Sequence, residues 1–169
     1  MDNTRDPDPA KAALEIVHLM GELFGNLLSL ELTLREILHA WEVEVGACEA
    51  SHPDEWELGA WVPENAMTTN DNLGDLIDKA NKLFSMRGLT DRVDPSLVNL
   101  RNGLAHGRLA VTSQPDIRIS MWRFSAPRDE QVRVRFAQDM TPDWLDSQIR
   151  RAYDEMLKAR QAGTDLGLL

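Results

Sequence analysis

From Ala13 to Trp41 apolar residues recur at alternating spacings of three and four: Ala13, Ile16, Met20, Leu23, Leu27, Leu30, Leu34, Ile37 and Trp41. That spacing is one face of a long helix. A second seam runs beside it through Leu14, Val17, Gly21, Phe24, Leu28, Glu31, Arg35 and Leu38. Two adjoining seams make a surface broad enough for a core and for a partner as well. Asp8-Pro9 opens the helix with a cap and a first-turn proline. Gly21 and Gly25 lower helix propensity, so each implies either a kink or a close neighbour.

Residues 46–68 hold Gly46, Pro53, Gly59 and Pro63, which predict a long loop; Trp56 and Trp61 within it are expected to pack down. A second helix is predicted from Thr69 or Asn70, with Leu73, Leu76, Ile77, Ala80, Leu83 and Phe84 on one face and Gly88 as its stop. Asp94-Pro95 then starts a short helix carrying Leu97, Leu100, Arg101 and Leu104, closed by Gly107. The period next changes to two. Ile117, Ile119 and Met121 alternate with polar residues, and so do Val132, Val134 and Phe136, which predicts a β-hairpin over about 117–136 with one arginine-bearing face. Thr141-Pro142 begins a last helix with the stripe Leu145, Ile149, Ala152, Met156 and Ala159.

These elements predict an all-α fold: a bundle of about four helices with a long first helix and a β-hairpin inserted before the last. Its parts are a flexible N-terminus at 1–8, a single domain at 9–160 and a frayed tail at 161–169. The chain has 169 residues, a length suited to one domain. Its longest apolar stretches are interrupted by polar residues every few positions, so no membrane span is expected. The acidic start lacks the basic-then-apolar order of a signal peptide, and a single cysteine, Cys48, offers no disulfide framework; both suit a cytoplasmic setting. The net charge of −10 is unevenly spread. Residues 1–100 carry 7 basic and 19 acidic side chains, whereas residues 101–160 carry 11 and 8. A basic patch on an acidic body and a scatter of solubilising charge are equally consistent with this.

The chemistry concentrates at Leu100-Arg101-Asn102-Gly103-Leu104-Ala105-His106-Gly107-Arg108-Leu109. Arginine holds a phosphate through a rigid fork of donors, and histidine exchanges protons near neutral pH. Together they are the minimum equipment for cutting a phosphodiester without a metal. Arg101 and His106 are five positions apart, which is about 140° around a helix of ~3.6 residues per turn. They diverge, whereas Asn102 and His106, at i and i+4, share a face with Asn99. A cleft that takes both charged groups is therefore simplest where this helix meets another body, a second copy across a two-fold axis being one such body. His106 also lies where a helix C-terminus favours a cation, so terminating the helix is its plain structural role.

In this form the stretch resembles the signature of the HEPN superfamily: arginine, a polar residue, and histidine four to six residues after the arginine. The members it resembles are small α-helical proteins, commonly homodimers, and many are metal-independent endoribonucleases of toxin–antitoxin, antiphage-defence or RNA-processing systems. The resemblance implies that Arg101 and His106 of two protomers share a cleft and that Asn102 positions the substrate or the histidine. The function it implies is RNA cleavage by 2′-hydroxyl attack, giving a 2′,3′-cyclic phosphate. The alternative is a catalytically silent binding module, an antitoxin or accessory partner protein, or a nucleotide binder. The match covers residues 100–109, and the hairpin departs from the family's pattern.

Other residues carry weaker signals. Glu31 and Arg35, at i and i+4, either neutralise each other within the apolar seam or leave Glu31 to hold Arg101 in place. Arg118, Arg133 and Arg135 on the hairpin, with Arg108 past the motif, either track an RNA backbone or keep a strand face wet. The tryptophans read as core and loop anchors rather than base-stacking platforms, with Trp122, beside Arg123, the one to check for stacking. No metal or other cofactor is expected, because His18, His39, His52 and His106 lie far apart and Cys48 is alone.

Overall fold

A computed structural model describes residues 9–50, 56–112 and 118–169. Helices α1 (Pro9–Glu44), α2 (Leu73–Met86) and α3 (Leu97–His106) are followed by strands β1 (Arg108–Thr112), β2 (Arg118–Phe124) and β3 (Val134–Asp139), then by helix α4 (Pro142–Asp165). The strands form one antiparallel sheet in the order β1-β2-β3. The expected all-α class is thus overturned: the fold is mixed, with helices and a three-stranded sheet. The predicted hairpin is its β2–β3 part. β1 escaped notice because Leu109 and Val111 are its only two large apolar positions and they follow directly on a helix.

Contacts along the chain group it into two compact units. The first takes the described residues of Met1–Asn26 and Ser96–Ala152; the second takes those of Leu27–Pro95 and Tyr153–Leu169.

In the first unit β2 is central. Leu109 pairs with Met121 and Met121 with Gln138, while Arg108 pairs with Trp122 and Trp122 with Ala137. Partners across a ladder share a face. The Met121 side packs beneath α3, with Ile119 and Met121 buried. A Cβ added at Gly103 would meet Met121 Cε at 3.1 Å and the Phe136 ring at 3.3 Å. Of the expected inward residues, Val132 and Val134 are exposed. Val132 precedes β3, and a register shift between Arg123 and Phe124 breaks the alternation there. Ile117 lies outside the described residues. Gly107 ends α3 in an extended conformation (φ −72°, ψ 162°), its N–H donating to Gly103 O at 2.7 Å. Its glycine is required by space, since a Cβ would strike the Gly103 carbonyl and lie 2.9 Å from Met121 Cγ.

In the second unit Leu27, Leu30, Leu34 and Ile37 of α1 are fully buried, as is the whole predicted stripe of α2. α2 starts at a capping box rather than at Thr69 or Asn70. Asn72 Oδ1 accepts from Gly74 N at 2.8 Å, and Asp75 Oδ2 accepts from Asn72 N at 3.2 Å. It stops at Gly88 (φ 82°), where Leu89 N donates to Phe84 O and Gly88 N to Ser85 O, as the sequence predicts. Asn81 clamps the following loop by donating to Val93 O at 2.9 Å and accepting from Val93 N at 2.8 Å. Two expectations fail here. Trp61 is fully exposed rather than packed down, and α4 continues through Asp165 instead of fraying from residue 161, with Gly163 set close against Ile37 and Leu169.

α1 follows its first seam, with Ile16, Leu23, Leu27, Leu30, Leu34 and Ile37 buried, while Leu14, Val17 and Leu28 of the second seam are exposed. Among the described residues, a Cβ built on Gly21 or Gly25 meets no atom within 4 Å beyond the helix's own backbone, so neither position is reserved for glycine by crowding of a side chain. By length and composition α1 could also cross a bilayer: one 18-residue window reaches a mean hydropathy of 1.3, with 17% of it buried in this structure. Interruption by polar residues therefore does not exclude a span on composition. The Asp8 cap and the 1–8 segment lie outside the described residues.

Candidate functional site

α3 begins two residues later than Asp94-Pro95 predicts. Ser96 precedes its first residue without a side-chain cap, and the hydroxyl instead accepts from Arg151 of α4. Leu97, Leu100 and Gly103 face inward, which turns Asn99 and His106 out to solvent with Asn102 half-buried beside them. Arg101 is half-buried, its Nε shielded from solvent. Both Arg101 and His106 lie on unbroken helix, so within one chain they diverge as their spacing requires.

His106, the last residue of α3, opens into a cleft of about 230 Å³ whose other walls are Arg108, Phe124, Ser125, Pro127 and Val132. Gly107 sets this geometry. By letting the backbone pass against Gly103 and Met121, it allows a helical residue and a strand residue two positions apart to line one cleft. The Arg108 guanidinium carbon stands 5.6 Å from the centre of the Phe124 ring, a cation–π contact that holds a positive charge beside His106. Arg101 is not among the residues of this cleft. The structure thus joins His106 to Arg108, which the sequence offered only as a backbone-tracking residue. Phe124 and Pro127 had no sequence signal, because they reach the site through the register of β2 in the sheet and the turn that follows it.

The sheet face turned away from α3 carries Arg108, Trp122 and Ala137 across one rung, and Arg118 opposite Thr112 on another. Alternation along β3 adds Arg135 to this face. Ser120 donates to Asp139 Oδ1 at 2.6 Å on the intervening rung, which engages that carboxylate. Arg133 is not on the strand. It lies before β3, with its N–H donating to Ser125 Oγ at 3.0 Å, and with Arg128 and Arg135 it borders a tip cleft of about 680 Å³.

Glu31 belongs to the other unit, where its Oε1 accepts from Arg35 Nη2 at 3.2 Å. Arg35 does more than neutralise it. The guanidinium also donates to the carbonyls of Ala66 at 2.9 Å, Thr69 at 3.1 Å and Asp71 at 2.7 Å, pinning the approach to α2 onto α1. A larger cavity of about 530 Å³ in this unit, bordered by Trp41, Glu42, Lys79 and Lys82, includes none of the motif residues.

No family model, curated protein or solved structure matches this chain.

Proposed function

We propose that the protein is a metal-independent endoribonuclease whose reacting phosphodiester lies in the His106 cleft. The observation that carries this reading is the shared cleft of His106, Arg108 and Phe124: a proton-transfer group, a fixed cation and an aromatic face within about 230 Å³. A phosphodiester needs the first two, and a nucleobase stacks on the third. His106 takes the proton of the 2′-hydroxyl. The 2′-oxygen then attacks phosphorus, the bond to the 5′-oxygen breaks, and a second histidine protonates that leaving oxygen. Arg108 and Arg101 neutralise charge on the phosphoryl oxygens.

The second histidine and a usable Arg101 come from a second copy of the chain. This agrees with the divergence of Arg101 from His106 and with the exposed Leu14, Val17 and Leu28 on α1. It is also the arrangement that the HEPN resemblance of residues 100–109 implies, with Asn102 as a positioning residue. A cytoplasmic toxin or defence setting belongs to the same proposal. The exposed seam of α1 also favours a second reading, a silent partner protein that docks another chain there.

The deciding experiment is cleavage of a mixed, end-labelled RNA in EDTA by wild type, His106→Ala, Arg101→Ala and Arg108→Gln. His106→Ala is expected to lower the rate by roughly 10²–10⁴-fold, with 2′,3′-cyclic phosphate ends in the wild-type products. A substrate that is 2′-deoxy at the cut site is expected to survive. Cleavage of that substrate, or equal cleavage by all four proteins, refutes the scheme.

A further inference from the structure

The end of α1 carries a second constellation, independent of the cleft. His39 and Glu42 stand at i and i+3 on the last turns of the helix, on one face. α1 then closes in a reversal built on Gly46 (φ 72°), with Ala47 N donating to Glu42 O at 2.8 Å and Gly46 N to Val43 O at 3.0 Å. This turn brings Cys48 back against the helix. Its Sγ lies 3.6 Å from His39 Nδ1 and 4.0 Å from Glu42 Oε2, and the three ligand atoms all fall within 4.8 Å of one another. Glu42 is held in place by the loop: Ala66 N–H donates to the same Oε2 at 2.9 Å.

We propose that His39, Glu42 and Cys48 form a zinc-binding site that ties the end of α1 to the turn that follows it. The sulfur–nitrogen distance suits the ion. With Zn–S of about 2.3 Å and Zn–N of about 2.05 Å, a tetrahedral angle separates sulfur and nitrogen by about 3.6 Å. The sulfur–oxygen separation for the same geometry is about 3.5 Å, so the carboxylate needs to close by roughly half an ångström, within reach of a small side-chain rotation. A thiolate with an imidazole selects a borderline-soft divalent ion and disfavours calcium or magnesium. Thiolate and carboxylate together supply two negative charges, which the ion cancels. The hydrogen bond from Ala66 is the kind of outer contact that orients a ligating carboxylate. Three protein donors leave the fourth position to water. A nucleophilic thiol fits these residues less well, because burial and then the Glu42 carboxylate push the Cys48 thiol up from its ordinary value. Ligand spacing between histidines and cysteines does not reveal the site, since its donors include a glutamate and a cysteine beyond the helix end.

The test is metal titration of untagged, chelator-stripped protein. Cobalt(II) is expected to bind with one-to-one stoichiometry and to give a thiolate-to-cobalt charge-transfer band in the near ultraviolet, and zinc is expected to displace it. Cys48→Ser removes the band, and His39→Gln and Glu42→Gln each weaken zinc at least tenfold in competition with a chromophoric chelator. Zinc raises the Tm of wild type and leaves that of Cys48→Ser unchanged. Wild type with Cys48 alkylated after folding provides the same comparison without a mutation. Absence of the band in wild type, its persistence after Cys48 is replaced or blocked, or equal zinc affinity in all variants overturns the proposal. None of these readouts depends on RNA cleavage, so the site and the nuclease reading stand or fall separately.

Discussion

Four glycines in helices or at a helix end respond differently to the same added methyl group, and their order tests the packing directly. At Gly107 an alanine Cβ would overlap the Gly103 carbonyl and sit 2.9 Å from Met121 Cγ. Overpacking of this kind costs about 1–3 kcal/mol. The carbonyl is helix backbone and cannot swing aside, and displacing residue 107 also disturbs its 2.7 Å hydrogen bond to Gly103 O, worth about 1 kcal/mol. Reduced freedom of the unfolded chain returns ~0.4–1 kcal/mol. The net expectation for Gly107→Ala is a loss of about 2–3 kcal/mol, or roughly 4–12 °C in Tm for a chain of this size. At Gly103 the nearest atom is the flexible end of Met121 at 3.1 Å. That tightness roughly cancels a helix-propensity gain of about 1 kcal/mol, so Gly103→Ala should be near neutral. A Cβ added at Gly21 or Gly25 has open space among the described residues, and each alanine there should add about 1 kcal/mol. Urea unfolding followed by circular dichroism, with Tm from calorimetry, gives the ranking. A Gly107→Ala protein as stable as wild type refutes the close approach at the cleft, and a destabilised Gly25→Ala refutes an open face on α1.

Two further outcomes follow from the contacts described. Arg35→Met removes an ion pair and three hydrogen bonds from a guanidinium that is only 14% exposed, and should cost about 3 kcal/mol. By contrast Arg87→Met, which breaks an exposed pair with Glu44, should change stability by less than about 0.5 kcal/mol; equal losses in the two unfolding experiments contradict the role given to Arg35. If RNA runs over the outer sheet face, Arg118→Gln with Arg135→Gln should reduce the slope of log binding constant against log salt by about 1.4 for single strands, whereas an unchanged slope removes those two arginines from the RNA path.

Much of the fold is legible wherever a helix buries a regular stripe. The first seam of α1 and the α2 stripe were readable because spacings of three and four leave little choice of inward face. Gly88 was readable because its left-handed backbone favours glycine. Gly107 pointed to the right boundary for a different physical reason, since its φ is ordinary and its constraint is a neighbouring strand. β1 was not legible, and with it went the fold class: a five-residue strand acquires its identity from the partner it pairs with. The candidate site divides in the same way. His106 and Arg108 stand out as residue types next to a helix end, but Phe124 joins them through strand register, which single positions do not encode. His39, Glu42 and Cys48 converge only because a Gly46 turn reverses the chain.

The pairing of distant segments within each unit has a consequence for synthesis. Residues up to Asn26 must wait for Ser96–Ala152, and Leu27–Pro95 must wait for Tyr153–Leu169. At translation rates of about 5–20 residues per second, the delay between α1 leaving the ribosome and α4 following it is on the order of ten seconds. Throughout that interval Leu27, Leu30, Leu34 and Ile37, all destined for full burial, ride on a nascent helix whose final neighbours do not yet all exist. That helix includes the window apolar enough for a bilayer. The nascent chain therefore presents to chaperones and targeting factors a much more hydrophobic face than the finished protein does, and early recognition of α1 becomes a determinant of yield separate from the stability of the native state.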